Sequence, residues 1–425
     1  MKPDSAVLLS VFLKDQSKGL RKVCEESLEE LVFLTRSAGV VVLRSLLVSR
    51  EEIDGATYIG SGKSEEILAF VKEHKATLLI VDDHLTPAQI RNMNEIFGIT
   101  ILDRIELILN IFAQRAHTAE AQVQVELAQL KYLLPRLTRM WTHLSRQVGG
   151  GVWMKGPGET QLEIDRRRVR ERIHRLTQKL EEVRQTRQLQ RKGRSKKDLL
   201  SFSLVGYTHA GKSSLFNRLT DSNADVLHKL FSTLDPLSRK LDLSPGLSVI
   251  LTDTVGFIRN LPHFLVESFK ATLEEVLEAD CLLHIVDGST LDFEAKMEAV
   301  RVVLKELKVE DKPFIIVINK IDLLSDMDLH RLELAFQGAM FISTKTGEGI
   351  ETLLKEMLTF VRGRTQRKAF FLPVQKMGLA KKWFAGSEML QEEYGENGVT
   401  VVANVNPEVF NRVKDYEIEL PPSFV

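Results

Sequence analysis

One eight-residue run constrains this chain more than any other: Gly206, Tyr207, Thr208, His209, Ala210, Gly211, Lys212 and Ser213. It follows the apolar segment Ser201–Gly206 and precedes the helix-like Ser214–Leu219, giving the order strand, glycine-rich loop, helix. Phosphates need that order. Glycines let backbone N–H groups curl round a β-phosphate, and the helix N-terminus adds positive potential. Lys212 is placed to reach the β- and γ-phosphates, and the Ser213 hydroxyl to ligate Mg²⁺, with Ser214 beside it. The run does not by itself choose between ATP and GTP.

Three later motifs make that choice. Asp253, Thr254, Val255 and Gly256 close an apolar strand; the carboxylate is placed to hold Mg²⁺ and the Gly256 N–H to sense the γ-phosphate. Asn319, Lys320 and Asp322 follow another apolar strand. A carboxylate at Asp322 accepts from guanine N1–H and N2–H₂, whereas adenine offers no donor there, so a buried one facing adenine is left unpaired. Asn319 ties this loop to the phosphate loop, the Lys320 stem lies along the base, and Ser343, Thr344 and Lys345 support base recognition through their backbone. Between the first two motifs, Phe231, Ser232, Thr233 and Leu234 supply a threonine expected to close on Mg²⁺ and the γ-phosphate. The expected catalytic set is therefore Lys212, Thr233 and Gly256, and the expected metal set Ser213, Thr233 and Asp253. Phe257 stands where many GTPases carry a water-orienting glutamine, so unassisted hydrolysis is expected to be slow.

At 425 residues the chain is long enough for several domains at about 150 residues each. Strand-like runs at Ala6–Leu13, Gly39–Ser45, Thr77–Val81 and Thr100–Leu102 alternate with helical patterns, which predicts a parallel sheet covered by helices. In the guanine-nucleotide region the strands read are Ser201–Gly206, Leu247–Thr254, Cys281–Asp287, Pro313–Lys320 and Ala339–Ser343. The expected division is an α/β domain over 1–112, a helical hairpin over 113–197, a G domain over 198–365 and a small C-terminal α+β domain over 366–425. The two cysteines, Cys24 and Cys281, sit far apart in apolar sequence, which excludes a disulfide scaffold and fits a reducing, cytoplasmic setting. No apolar run is long enough to span a bilayer.

Val123, Leu127, Leu130, Leu134, Leu137, Trp141 and Leu144 recur at alternate spacings of four and three, and Val169, Ile173, Leu176, Leu180 and Val183 repeat that rhythm. Two such stripes close together satisfy each other as an antiparallel hairpin, kinked at Pro135; a homodimeric coiled coil is the alternative, and a monomer is expected. The 58 basic and 58 acidic side chains balance overall, yet Arg166–Lys197 carries 14 Lys/Arg against three Glu. Positive charge this dense calls for a polyanion, with nucleic acid first among them; a solvated helix face is the bland reading.

Leu102-Asp-Arg104, Gln124–Ala128, Leu134-Pro-Arg136, Gly156-Pro-Gly-Glu-Thr-Gln-Leu-Glu163, Phe231–Pro236 and Asp253–Arg259 together resemble the HflX family of ribosome-associated GTPases over nearly the full length. The resemblance implies GTP binding and hydrolysis stimulated by the large ribosomal subunit, and help in splitting stalled or stress-damaged ribosomes. It makes the basic helix, with Arg166, Arg167, Arg168 and Arg170, the arm expected to touch ribosomal RNA. The loop 149–158, with Trp153 and Lys155, becomes a candidate RNA-probing tip. Two features stand apart. His209 occupies the position of an asparagine that holds potassium in related GTPases, and imidazole nitrogen is a poor potassium ligand, so potassium activation is in doubt. Gly60-Ser-Gly-Lys63 lacks full phosphate-loop spacing and reads as a strand-to-helix turn, although some members are reported to bind ATP through this domain.

Overall fold

The computed structural model describes residues 3–14, 18–140, 161–194, 199–220, 236–245, 247–259, 270–290, 292–384 and 387–421, and every structural statement below concerns these. Phe231, Ser232, Thr233, Leu234, Trp153 and Lys155 lie outside them. The fold is the mixed α/β architecture expected from the sequence, arranged as two compact units.

In the first unit, β1 (Ser5–Leu13), β2 (Val41–Arg50), β3 (Leu78–Val81) and β4 (Thr100–Asp103) form a parallel sheet in the order β2-β1-β3-β4. β2 runs from Val41 to Arg50, later than the apolar run Gly39–Ser45 suggests, because its whole length pairs with β1. Val7 and Leu9 of β1, Leu79 and Val81 of β3 and Ile101 of β4 share one core with Ile67 and Val71 of the helix Ser61–His74 and Met93 and Phe97 of the helix Pro87–Phe97. The latter starts at a Thr86/Gln89 capping box with Pro87 in the first turn and stops at the left-handed Gly98, each a local signal. Gly60, ten residues past the end of β2, caps Ser61–His74 at a φ of 78°, so Ser61, Gly62 and Lys63 form that helix's first turn, and Lys63 pairs with Glu66. Cys24 is half-buried, and burial first, then the nearby carboxylates of Asp82 and Asp83, push its thiol up.

The helices Ala119–Met140 and Gln161–Arg194 meet along Val123, Leu127 and Leu130 of the first predicted stripe and Ile173, Leu176 and Leu180 of the second, while Trp141 and Leu144 lie outside the described residues. The first helix continues through Pro135. Across the pair, Arg172 makes a two-pronged ion pair with Glu126, at 2.7 and 2.9 Å. The same first helix is tied to the sheet by Asp103, a fully buried carboxylate that accepts from Tyr132 Oη, from Arg136 Nη2 at 2.6 Å and from Glu106 N at 2.9 Å.

The second unit holds β5 (Ser201–Gly206), β6 (Leu237–Ser244), β7 (Leu247–Asp253), β8 (Cys281–Asp287), β9 (Phe314–Asn319) and β10 (Met340–Phe341), ordered β10-β9-β8-β5-β7-β6. All neighbours are parallel except the edge pair β6 and β7. Phe202, Leu204, Leu251, Leu283 and Val317 from the central strands pack on Leu215, Phe216, Leu353 and Met357 of the flanking helices. An antiparallel sheet follows: β11 (Gln366–Pro373), β12 (Glu388–Gly395), β13 (Gly398–Val405) and β14 (Glu417–Ile418), ordered β12-β13-β11-β14. Glu388, held by Arg362 and by Asn404 Nδ2 at 2.7 Å, links that sheet to the helix Ile350–Gly363.

Candidate functional site

The motif residues gather at the carboxyl ends of parallel strands, where open α/β sheets bind ligands. Gly206 ends β5, Asp253 ends β7, Asn319 ends β9 and Ser343 follows β10. The helix Lys212–Thr220 begins directly at the end of the phosphate loop, aiming its first N–H groups at the loop's interior.

Lys212 is buried, and its ammonium donates to Gly206 O at 3.0 Å and Tyr207 O at 2.7 Å. Burial brings it down to about 8, with Asp253 pulling the other way. Ser213 Oγ donates to Asp253 Oδ2 at 2.7 Å, so a hydroxyl from the first turn of the helix and a carboxylate from the end of β7 converge. Both are hard oxygen donors of the kind Mg²⁺ takes, and their meeting fits such an ion. Gly211 has a φ of 97°, and a Cβ there would run into the Asn319 side-chain amide, so the close approach of the two loops demands glycine. Asn319 Nδ2 donates to Ala210 O at 2.8 Å, and its Oδ1 accepts from Thr344 N at 3.0 Å. One side chain thus joins the phosphate loop to both base loops.

Ser343 Oγ donates to Asp322 Oδ1 at 2.6 Å and accepts from Thr346 N at 3.1 Å. Asp322 lies in the short helical turn Ile321–Leu323 beyond β9 and is exposed rather than buried; its orientation comes from Ser343. Lys320, at a φ of 66°, pairs with Asp287 Oδ2 at 2.5 Å. Asp287 ends β8 as the motif residues end theirs, and its place after an apolar run is the signal that could have identified it.

The segment after Asp253 is laced to the phosphate loop by its backbone. Thr208 N donates to Phe257 O at 2.8 Å, Phe257 N to Gly206 O at 3.1 Å and Arg259 N to Tyr207 Oη at 2.7 Å. Phe257 itself is buried at 2% exposure, a packing residue whose side chain has no polar atom to hold water. His209 is exposed at a φ of 61°, a left-handed conformation uncommon for a side chain other than Asn, Asp or His. His284, on β8 beside Val205, is buried and held down to about 4, chiefly by burial and then by Lys212, so it stays neutral. Thr254 is buried, its hydroxyl donating to Leu204 O at 2.5 Å, and Val255 is buried beside it. On the basic helix Arg167, Arg168 and Arg170 are exposed and Arg166 half-buried.

Comparison with known proteins adds to this geometry. The profile described as 50S ribosome-binding GTPase matches residues 201–320, GTP-binding GTPase N-terminal matches 25–113, and GTP-binding GTPase Middle Region matches 115–194. GTPase HflX of Magnetococcus marinus is 44% identical over 412 residues, covering 97% of this chain and 95% of its own. This chain belongs to the HflX family. GTPase HflX of Escherichia coli K12 is 41% identical over 397 residues, covering 93% of this chain and 92% of its own. A GTP-binding protein of Sulfolobus solfataricus in complex with GDP overlays at a TM-score of 0.44, with 24% identity over 85% of this chain and 99% of its own, too distant to place any residue. Like its HflX relatives, the chain is a GTP hydrolase. Among the described residues no helix is long and apolar enough to cross a membrane.

Proposed function

We propose that this HflX GTPase is a switch that couples GTP binding and hydrolysis to association with the large ribosomal subunit, and to the splitting or rescue of ribosomes under stress in the cytoplasm. The carrying observation is the coupling of phosphate and base loops through Asn319, beside a Lys212 ammonium buried on loop carbonyls. Guanine lies against Asp322, Lys320, Thr344 and Lys345, and its phosphates against the loop from Gly206 to Ser214. Ser213 and Asp253 would hold Mg²⁺, with Thr233 as a further ligand, and the ion would supply charge neutralisation on the β- and γ-phosphates. Lys212 and the Gly256 N–H meet the γ-phosphate. Thr254 and Val255 line the strand end, and Phe231, Ser232 and Leu234 flank Thr233.

With Phe257 buried and no glutamine at its position, hydrolysis is slow until a partner completes the site. The basic helix, through Arg166, Arg167, Arg168 and Arg170, with Trp153 and Lys155 beyond it, makes that partner ribosomal RNA. The four-part division at 1–112, 113–197, 198–365 and 366–425 assigns sensing to the first two parts and chemistry to the third. The chain acts as a monomer, and any weak ATP binding belongs to the first part. The test is GTP turnover with and without purified large subunits at low and moderate salt. Strong, salt-sensitive stimulation supports the proposal; unchanged turnover with firm GTP binding refutes ribosomal activation.

A further inference from the structure

Arg218 lies on the phosphate-loop helix, six residues past Lys212, yet its guanidinium reaches the other end of the nucleotide site. Nη1 donates to Thr344 O at 3.1 Å and Lys345 O at 3.4 Å, and Nη2 to Thr346 O at 3.2 Å. Three successive carbonyls of the base loop thus point at one exposed side chain. Gly347, at a φ of 97°, passes so close that a Cβ there would run into the same guanidinium. The opposite face of the loop carries the N–H groups: Thr344 N goes to Asn319 Oδ1 and Thr346 N to Ser343 Oγ, which in turn holds Asp322.

In a trans peptide the C=O and the following N–H point to opposite sides. Holding the Thr344 carbonyl therefore turns the Lys345 N–H away from Arg218, toward the face that carries Asn319 and Asp322. We propose that Arg218 is a positioning residue for guanine recognition: it keeps the carbonyls of the 344–346 loop turned outward, so that the loop presents N–H donors, and no acceptors, to the 6-position of the base. Guanine O6 accepts from such a donor. A 6-amino group, a donor itself, meets only donors and is rejected. Five N–H groups in a planar fork suit a row of carbonyls in a way that a lysine point charge does not. Freed of Arg218, the peptides can rotate and offer a carbonyl to a 6-amino group. The inference rests on the guanine assignment of the site, with Asp322 reading the N1 and N2 edge and Arg218 governing the O6 edge.

The two edges are separated by nucleotide analogues. Affinities of the full-length protein for GDP, inosine diphosphate and 2,6-diaminopurine riboside diphosphate would be measured for wild type, Arg218→Ala and Arg218→Gln. Inosine keeps O6 and N1–H but lacks the 2-amino group; diaminopurine keeps the 2-amino group and replaces O6 with an amine. The expected result for Arg218→Ala is a roughly tenfold fall in the preference for GDP over the diaminopurine nucleotide, about the weight of one charge-assisted hydrogen bond, with the preference for GDP over inosine diphosphate retained. Arg218→Gln, which keeps an amide donor, is expected to fall between, and it carries the test if the alanine variant does not fold. Equal losses for all three nucleotides, or unaltered ratios, overturn the inference, since a merely structural tie would not favour one analogue. Asp322→Asn serves as the check on the underlying reading: its preference for GDP over inosine diphosphate should collapse, and if that ratio holds, the guanine assignment itself fails.

Discussion

At the scale of the residue, the buried ammonium of Lys212 has a consequence for pH. In the protein it loses its proton near pH 8 instead of the ordinary 10.5, and a bound polyphosphate, by its negative charge, raises it again. Nucleotide binding therefore takes up a proton as pH rises above about 8, and affinity falls there because the free protein has already lost the charge the phosphates need. Calorimetry of GDP binding at pH 9 in buffers of different ionisation enthalpy should show net proton uptake; binding without it would place the charged lysine elsewhere. At Asp322, replacement by asparagine turns an acceptor of two N–H groups into a mixed donor and acceptor. GTP affinity is expected to fall roughly ten- to a hundredfold, with xanthine nucleotide gaining in turn, as competition binding would show. Exposure does not weaken that expectation, because Ser343 fixes the carboxylate's orientation.

At the scale of the element, the helix Ala119–Met140 is docked by a buried ion pair rather than by apolar contact alone. Arg136, its side chain 8% exposed, donates to Asp103, fully buried at the end of β4, and its guanidinium lies 3.6 Å from the centre of the Tyr132 ring. Leaving a buried charge without its partner costs about 3–5 kcal/mol. Arg136→Ala should therefore speed backbone hydrogen exchange along Ala119–Met140 by several orders of magnitude, while the G-domain strands keep their protection. Protection unchanged along that helix would mean that Tyr132 and the apolar seam suffice. The seam was readable because Val123, Leu127, Ile173 and Leu176 keep their rhythm locally. The ion pair was not, since nothing in Leu102-Asp-Arg104 or Leu134-Pro-Arg136 says that Asp103 and Arg136 meet.

At the scale of the whole molecule, neutral overall charge conceals a basic arm. Counterion release makes RNA affinity fall with salt, by about one unit of logarithmic slope for each phosphate contact. Reversing Arg167, Arg168 and Arg170 to glutamate is expected to lower ribosomal-subunit affinity by orders of magnitude and to reduce the salt slope by roughly three. Sedimentation with subunits across a salt series would measure both, and a slope equal to that of the wild type would assign those arginines to solvent. Arg172 is left out of the set because Glu126 already holds it across the two helices.

The nucleotide chemistry was legible because it is local. A phosphate needs glycine, lysine and a hydroxyl within one loop, and a base edge needs a carboxylate of fixed polarity, so Gly206–Ser213, Asp253 and Asn319–Asp322 announce themselves wherever the chain later goes. The alternation of apolar runs with helical patterns likewise determined the mixed α/β class. What the tertiary structure alone decided depends on partners distant in the chain. β6 carries Arg239 and Lys240 and reads as a polar segment until β7 pairs with it along the edge. The strand Glu388–Gly395 is hidden in the same way until β13 supplies its ladder. Arg218 acquires its role only when carbonyls 126 or more residues away fold against it. Side-chain chemistry travels with the residue, but a hydrogen bond's partner is chosen by packing, and packing is a property of the folded chain.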